Sequence, residues 1–316
     1  MVDRMNRRLR AVALSCMAAI AVGAALPRTT GAAPLNVVEY PVGGAVYFTA
    51  AGPDGAVWFA EKQGARLGRI TRGGTIREFT VPPPTAGAPS PGVLDITTGP
   101  DGAMWFTSAA PYAGRMTTAG VFSWIPLSAS TIGVAPDHAG NLWYTETNGE
   151  VARVSTAGAV MEFPAVPSGN GPALITAGAD GAMWFSEYAQ AIGRITSAGV
   201  YTEFALDHPS FGACVTAGPG GHVWIAEQGY VAEVTGTGAM IDHRAAASVS
   251  NGCLAAGKNG SVWFSTANGV ARRDAAGSVA AFASPSGLRS YGICRGPDDR
   301  IWTAEGTALA RWSLGG

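Results

Sequence analysis

Charge is scarce in this chain. Only two lysines, Lys62 and Lys258, occur in 316 residues, and charged residues make up 14% of the total, against about 25% in an ordinary soluble domain. Most positions must therefore face other protein, and no basic surface is available for nucleic acid, which excludes it as a partner. Long apolar runs are also missing. The run from Ala11 to Leu26 is 16 residues long, short of the ~20 that cross a bilayer as a helix. Histidine is limited to four residues, and His138, His222 and His243 show no ligand spacing. There is no nucleophile elbow, no cysteine pair at zinc spacing and no phosphate-binding glycine loop.

The apolar run has a meaning of its own. Arg4, Arg7, Arg8 and Arg10 precede it and the small residues Gly31, Ala32 and Ala33 follow, which is the three-part form of a secretory signal. Residues 1–33 are therefore expected to be removed on export, with an uncleaved anchor as the alternative, and 34–316 to form the mature protein. Such a protein is secreted or periplasmic and holds no membrane contact after cleavage. Removal leaves 16 basic and 21 acidic residues, a mild negative charge. It also discards Cys16 and leaves Cys214, Cys253 and Cys294. That odd number requires an unpaired thiol. A Cys214–Cys253 bridge needs neighbouring repeats within about 7 Å at Cα, and packed free thiols are the expectation.

What the chain has in abundance is a repeat. Gly178 to Leu206 reads as a Gly-Ala-Asp-Gly turn, an apolar run ending Met183-Trp184-Phe185, a loop, a short run Ala191–Thr196, a second glycine turn and a third run from Val200. Runs of five to seven aromatic and β-branched residues bounded by glycine are consecutive antiparallel strands. The tryptophan recurs as Trp58, Trp105, Trp143, Trp184, Trp224, Trp263 and Trp302. A period near forty with about four strands per unit predicts an all-β fold, a seven-bladed β-propeller of four-stranded antiparallel blades. Strand B is apolar at successive positions (Ala182 to Phe185), as a strand covered on both faces should be.

The last repeat stops after strand C, around Leu309–Ser313. The segment Val37-Val38-Glu39-Tyr40-Pro41 matches strand D of other repeats, such as Tyr201-Thr202-Glu203-Phe204. It is expected to complete the seventh blade and close the ring, removing two open edges. Glutamates recur three residues after the tryptophan (Glu61, Glu146, Glu187, Glu227, Glu305) and arginines on strand C (Arg69, Arg153, Arg194, Arg311). The two are expected to pair across the hairpin, Glu187 with Arg194 and Glu146 with Arg153. The alternative is a ring of carboxylates around one face, able to hold a cation.

The repeats GPDGAMWFTS…AGRMTTAG and GADGAMWFSEYAQAIGRITSAGVYTEF resemble those of the streptogramin B lyases, the virginiamycin B lyase family, over all seven units. The resemblance implies a propeller, and for active members a C–O lyase that opens a cyclic depsipeptide at its ester by β-elimination. A histidine acts there as base, with Mg²⁺ near the channel mouth. In the last blade the family's Glu-Pro-His-Gly-Ile is matched here by Arg289-Ser290-Tyr291-Gly292-Ile293, so Tyr291 stands for the histidine and Arg289 for the glutamate. The second histidine, in the blade before, is matched by Gly252 in Asn251-Gly252-Cys253-Leu254. Gly306 stands where a further glutamate is expected, with Glu305 beside it. Mg²⁺ is implied only if the lyase activity is retained.

Three residues carry the candidate chemistry: Tyr291, Glu305, and His208 in the loop Asp207-His208-Pro209-Ser210 on the face where the family has its site. Arg289, Asn251, Asp95 and Tyr47 are the candidate binding residues at that channel mouth. No metal ligand set is assigned. With both histidines replaced, the expectation is a monomeric, non-catalytic module that holds a small molecule, peptide or protein. The alternative is a lyase or lactone hydrolase.

Overall fold

The structure, a computed structural model, describes residues 35–314 apart from 63, 89, 209, 211–212 and 246–251. The expected signal segment and Asn251 lie outside the described residues. Among those described, all regular structure is β except one short 3-10 turn at Pro219–Gly221. No helix there is long and apolar enough to cross a membrane.

Five four-stranded antiparallel sheets form blades 2 to 6, over residues 96–126, 131–163, 172–205, 215–244 and 254–283. The remaining seven strands form one continuous sheet because Leu35–Ala51 belongs to two blades. Its first half pairs antiparallel with Gly306–Leu314, Val37 opposite Trp312 and Tyr40 opposite Leu309. After a shift in register between Pro41 and Val46 it becomes strand A of blade 1, with Ala50 opposite Trp58. The fourth strand missing from the C-terminus is thus supplied from the N-terminal side, as the sequence predicts. The strands A touch one another in unbroken order, including blade 7 against blade 1. The protein is a seven-bladed propeller.

The repeat is legible atom by atom in blade 4. Trp184 lies directly opposite Arg194 across the B–C hairpin, and both engage Asp180 of the A–B turn. The indole Nε1 donates to Oδ1 at 3.2 Å, and Arg194 Nε to Oδ2 at 2.7 Å. Asp101 joins Trp105 and Arg115 in the same way, and Asp54 joins Trp58 and Arg69. The turn aspartate therefore locks three strands of a blade together. The glycine that opens the turn is required by packing, because a Cβ on Gly52 would lie 2.2 Å from the Trp58 ring.

These contacts overturn the expected Glu–Arg pairs. Residues three apart on a strand face opposite sides of the sheet. An arginine opposite the tryptophan therefore cannot reach a glutamate three positions further on. Arg153 accordingly donates to the Ser197 carbonyl and lies over the Trp143 ring. Blade 5 has no turn aspartate and places Glu233 where the arginine belongs. His222 and His243 engage that carboxylate, and Arg273 of blade 6 covers the Trp224 ring instead.

The expectation of free thiols at Cys214 and Cys253 is also overturned, since the two form a disulfide with Cα atoms 4.7 Å apart. Each sits one residue before strand A of its blade, Val215–Ala217 and Leu254–Ala256, where the strands converge on a narrow channel. Glycines at the same register show the crowding. A Cβ on Gly133 would lie 2.9 Å from Leu174 Cα, and one on Gly292 2.7 Å from Phe48 Cα. Cys294, two positions deeper than Gly292, remains a free thiol, and burial pushes it up to about 12.

Candidate functional site at the channel mouth

Strand A of every blade faces the axis, and together they enclose a cavity of about 440 Å³ lined by residues such as Phe48, Asp95, Val134, Leu174, Val215 and Ile293. Asp95 is its buried acid. One carboxylate oxygen accepts from the Val134 amide of the next blade at 3.0 Å, and the other from Ile96 at 2.9 Å. The side chain keeps some surface because it borders the cavity, yet protein surrounds it, and this burial pushes its carboxyl up to about 7.

At the entry end of the same strands, Tyr47 of blade 1 and Tyr291 of blade 7 meet with ring centroids 4.9 Å apart, tilted by 47°. Arg289 lies over the Tyr291 ring at 5.3 Å and Lys62 over Tyr47 at the same distance. Three predicted binding or catalytic residues therefore form one aromatic, cationic cluster on the blade 7–blade 1 seam. Lys62 joins them without having been singled out. It follows Glu61 at the end of strand B, which the repeat returns to the face where strand A starts.

Glu305 is near but faces inward. It is buried, and accepts from Ser284 at 2.9 Å, Thr303 at 3.0 Å and Ser290 at 3.2 Å. Burial raises its carboxyl despite these donors. His208 belongs to blade 5, where it stacks on Tyr230, and is not part of the tyrosine cluster.

The glutamates three residues after the tryptophan share one environment. Glu61, Glu146, Glu187, Glu227 and Glu305 are all buried. Each is accompanied by an acid on strand D: Glu78, Glu162, Glu203, Asp242 and Glu39 respectively. Those acids occupy a single register position, opposite a glycine or alanine of strand C. Blades 2 and 6, which have Ser108 and Thr266 instead, carry Trp124 and Ala281 there. The acids thus come and go as pairs. Burial and the neighbouring acid push Glu146 to about 8, Glu187 to about 7 and Glu227 to about 8.

A ring of blades around an axial cavity lined by the strands A, with an aromatic and cationic cluster at the entry end, defines a propeller that can hold a ligand on its axis. The chain belongs to the virginiamycin B lyase family, whose model matches residues 25–226. No curated protein matches it in sequence. Among solved structures, a streptogramin B lyase superposes with a TM-score of 0.82 at 26% identity, over 89% of this chain and 98% of that one. A catalytically inactive histidine-to-alanine variant of virginiamycin B lyase from Staphylococcus aureus, solved with quinupristin, gives 0.80 at 26% identity, over 89% and 100%. The extracellular domain of a hybrid two-component system from B. thetaiotaomicron shares the fold alone, at 17% identity and a TM-score of 0.70, over 87% of this chain and 42% of that one.

The magnesium site implied by the family does not fit the residues present. Arg289 puts positive charge where a carboxylate is expected, and Lys62 adds a second cation within the same cluster. Glu305 is already held by three hydroxyls, and Glu39 beside it accepts from the Ser284 hydroxyl and the Ser286 amide. A hard divalent cation needs several oxygen ligands free to turn toward it.

Proposed function

We propose that the protein is an exported, non-catalytic binding propeller that holds a small molecule or peptide against the tyrosine pair at its channel mouth. The observation that carries this reading is the Tyr47–Tyr291 contact with Lys62 and Arg289 over its two rings. It stands where the resemblance expects a histidine base. Two phenol rings offer apolar faces and hydroxyls, while the two cations favour an acceptor-rich or acidic ligand. No imidazole belongs to the cluster, and losing a general base alone forfeits about 10²–10⁴ in rate. Export is supported by the Cys214–Cys253 disulfide, a bond that persists in oxidising compartments. The mature protein would then be residues 34–316, acting as a monomer.

Quinupristin, the ligand named for a structural relative, is the first probe. The mature protein is expected to bind it in calorimetry and to return it unopened by mass spectrometry, with or without Mg²⁺. Tyr291→Ala should weaken binding at least tenfold. Lactone opening by the unmodified protein would defeat the non-catalytic reading, and binding indifferent to Tyr291→Ala and Tyr47→Ala would defeat the location.

A further inference from the structure

The repeated acid pairs are not equivalent, and the differences lie in what enters between the two carboxylates. In blade 1 it is Arg66, whose Nε lies 3.0 Å from Glu61 and whose Nη1 lies 3.4 Å from Glu78. The slot at the end of strand B is therefore built to accept a cation. Blade 3 places Glu150 where blade 1 has Arg66, but the Ser128 hydroxyl and the Ala129 amide already satisfy Glu146 there.

Blade 5 has no arginine on strand C, its own arginine, Arg244, ending strand D opposite Tyr230, and no such donor reaches Glu227 among the described residues. Strand C opens with Tyr230, and His208 enters from the loop before strand A. Its ring lies flat on Tyr230, with centroids 3.7 Å apart and planes within 3°, and its Nε2 is 3.5 Å from Asp242 Oδ2. Glu227 is wholly buried, and neither of its carboxylate oxygens has a hydrogen-bond partner among the described residues; nor has Asp242 Oδ1. One ligand atom from each of the three residues lies within 4.8 Å of the others. Ligands bound to zinc at 2.0–2.1 Å stand about 3.4 Å apart, which the His208–Asp242 separation already approaches.

We propose that His208, Glu227 and Asp242 bind a divalent transition metal of the zinc class, tying the loop of His208 to the outer edge of blade 5. One imidazole with two carboxylates selects zinc-like ions over magnesium and calcium, which prefer all-oxygen sets. The metal supplies the positive charge that Arg66 supplies in blade 1, and gives the buried Glu227 oxygens the partner they lack. This site is independent of the ligand at the channel mouth.

The test uses untagged mature protein, stripped with chelator and titrated with ZnCl₂ against a chromophoric competitor near pH 7.5. One zinc per chain is expected at micromolar affinity or tighter, together with a rise in melting temperature. His208→Ala and Glu227→Gln should each weaken binding at least tenfold and abolish the thermal shift. His208→Ala lies in a surface loop and keeps the test open should Glu227→Gln fail to fold. His243→Ala should leave binding unchanged, because His243 engages Glu233 instead. Co²⁺ should give a visible absorption band that His208→Ala removes. Absence of zinc binding tighter than about 1 mM would overturn the proposal, as would binding unaffected by both variants. Magnesium bound as tightly as zinc would overturn the metal class.

Discussion

Asp180 shows how much of a blade can rest on one side chain. It accepts from the Trp184 indole and from Arg194 while its own turn places it between strands A and B. Asp180→Ala removes a hydrogen bond to a buried tryptophan and a partly exposed ion pair, and should cost about 1–2 kcal/mol in denaturant unfolding. Glu187→Gln, by contrast, should leave the Arg194 interaction intact, visible as an unchanged effect of Arg194→Ala in the two backgrounds. Spacing alone led to the opposite assignment. Glu187 and Arg194 recur together in sequence, but recurrence says nothing about which face of the strand each occupies. The parity rule, applied from Trp184 opposite Arg194, would have separated them. Of the zinc-class site, the sequence singled out His208 and, among the recurrent glutamates, Glu227, but not Asp242 and not their meeting. His208 stands out in its loop, but Glu227 and Asp242 reach it through strand register, which no linear motif records.

Among the elements, the two that bind blades together behaved differently under sequence reasoning. The strand Leu35–Ala51 could be placed because a missing fourth strand at one end and a surplus one at the other admit a single solution. The disulfide could not, because the distance between neighbouring strands A is set by the narrowness of the channel and not by anything in the repeat. Cys214 and Cys253 close a loop with a separation of 39 residues, and replacing both by serine should cost about 2–4 kcal/mol on the loop-entropy account. Thiol titration of the denatured mature protein should find one reactive group, Cys294, rising to three after reduction. Deleting residues 34–42 should be more severe, since it strips the outer strand from blade 7 and opens the seam.

At the scale of the whole molecule, the buried acids set the response to pH. Glu146, Glu187, Glu227 and Asp95 have carboxyls raised to about 7–8 in the folded state. In the unfolded chain they ionise near 4–4.5. Stability held by keeping them protonated is complete below those unfolded values and is lost as pH rises through about 8. Asp54, Asp101, Asp137, Asp180 and Glu233 are lowered despite partial burial, because hydrogen bonds and cationic partners favour their charged forms. Their contribution is present above the unfolded values and is lost as pH falls through the folded ones. Melting temperature should therefore peak near pH 5 and decline toward pH 8.5. Glu146→Gln should flatten the alkaline side, and an unchanged slope in that variant would refute the assignment. The seam carries a consequence for how the ring is made. Each blade runs into the next through a peptide link, blade 7 into blade 1 included, so the joint that closes the ring without a chain connection lies inside blade 7, where Leu35–Pro41 pairs with Ala308–Leu314. That joint cannot form until the last strand exists, so it belongs to the final step of folding. A chain cut short before Gly306 would offer an orphan first strand to the open edge of another copy, and truncated proteins should accumulate as exchanged oligomers.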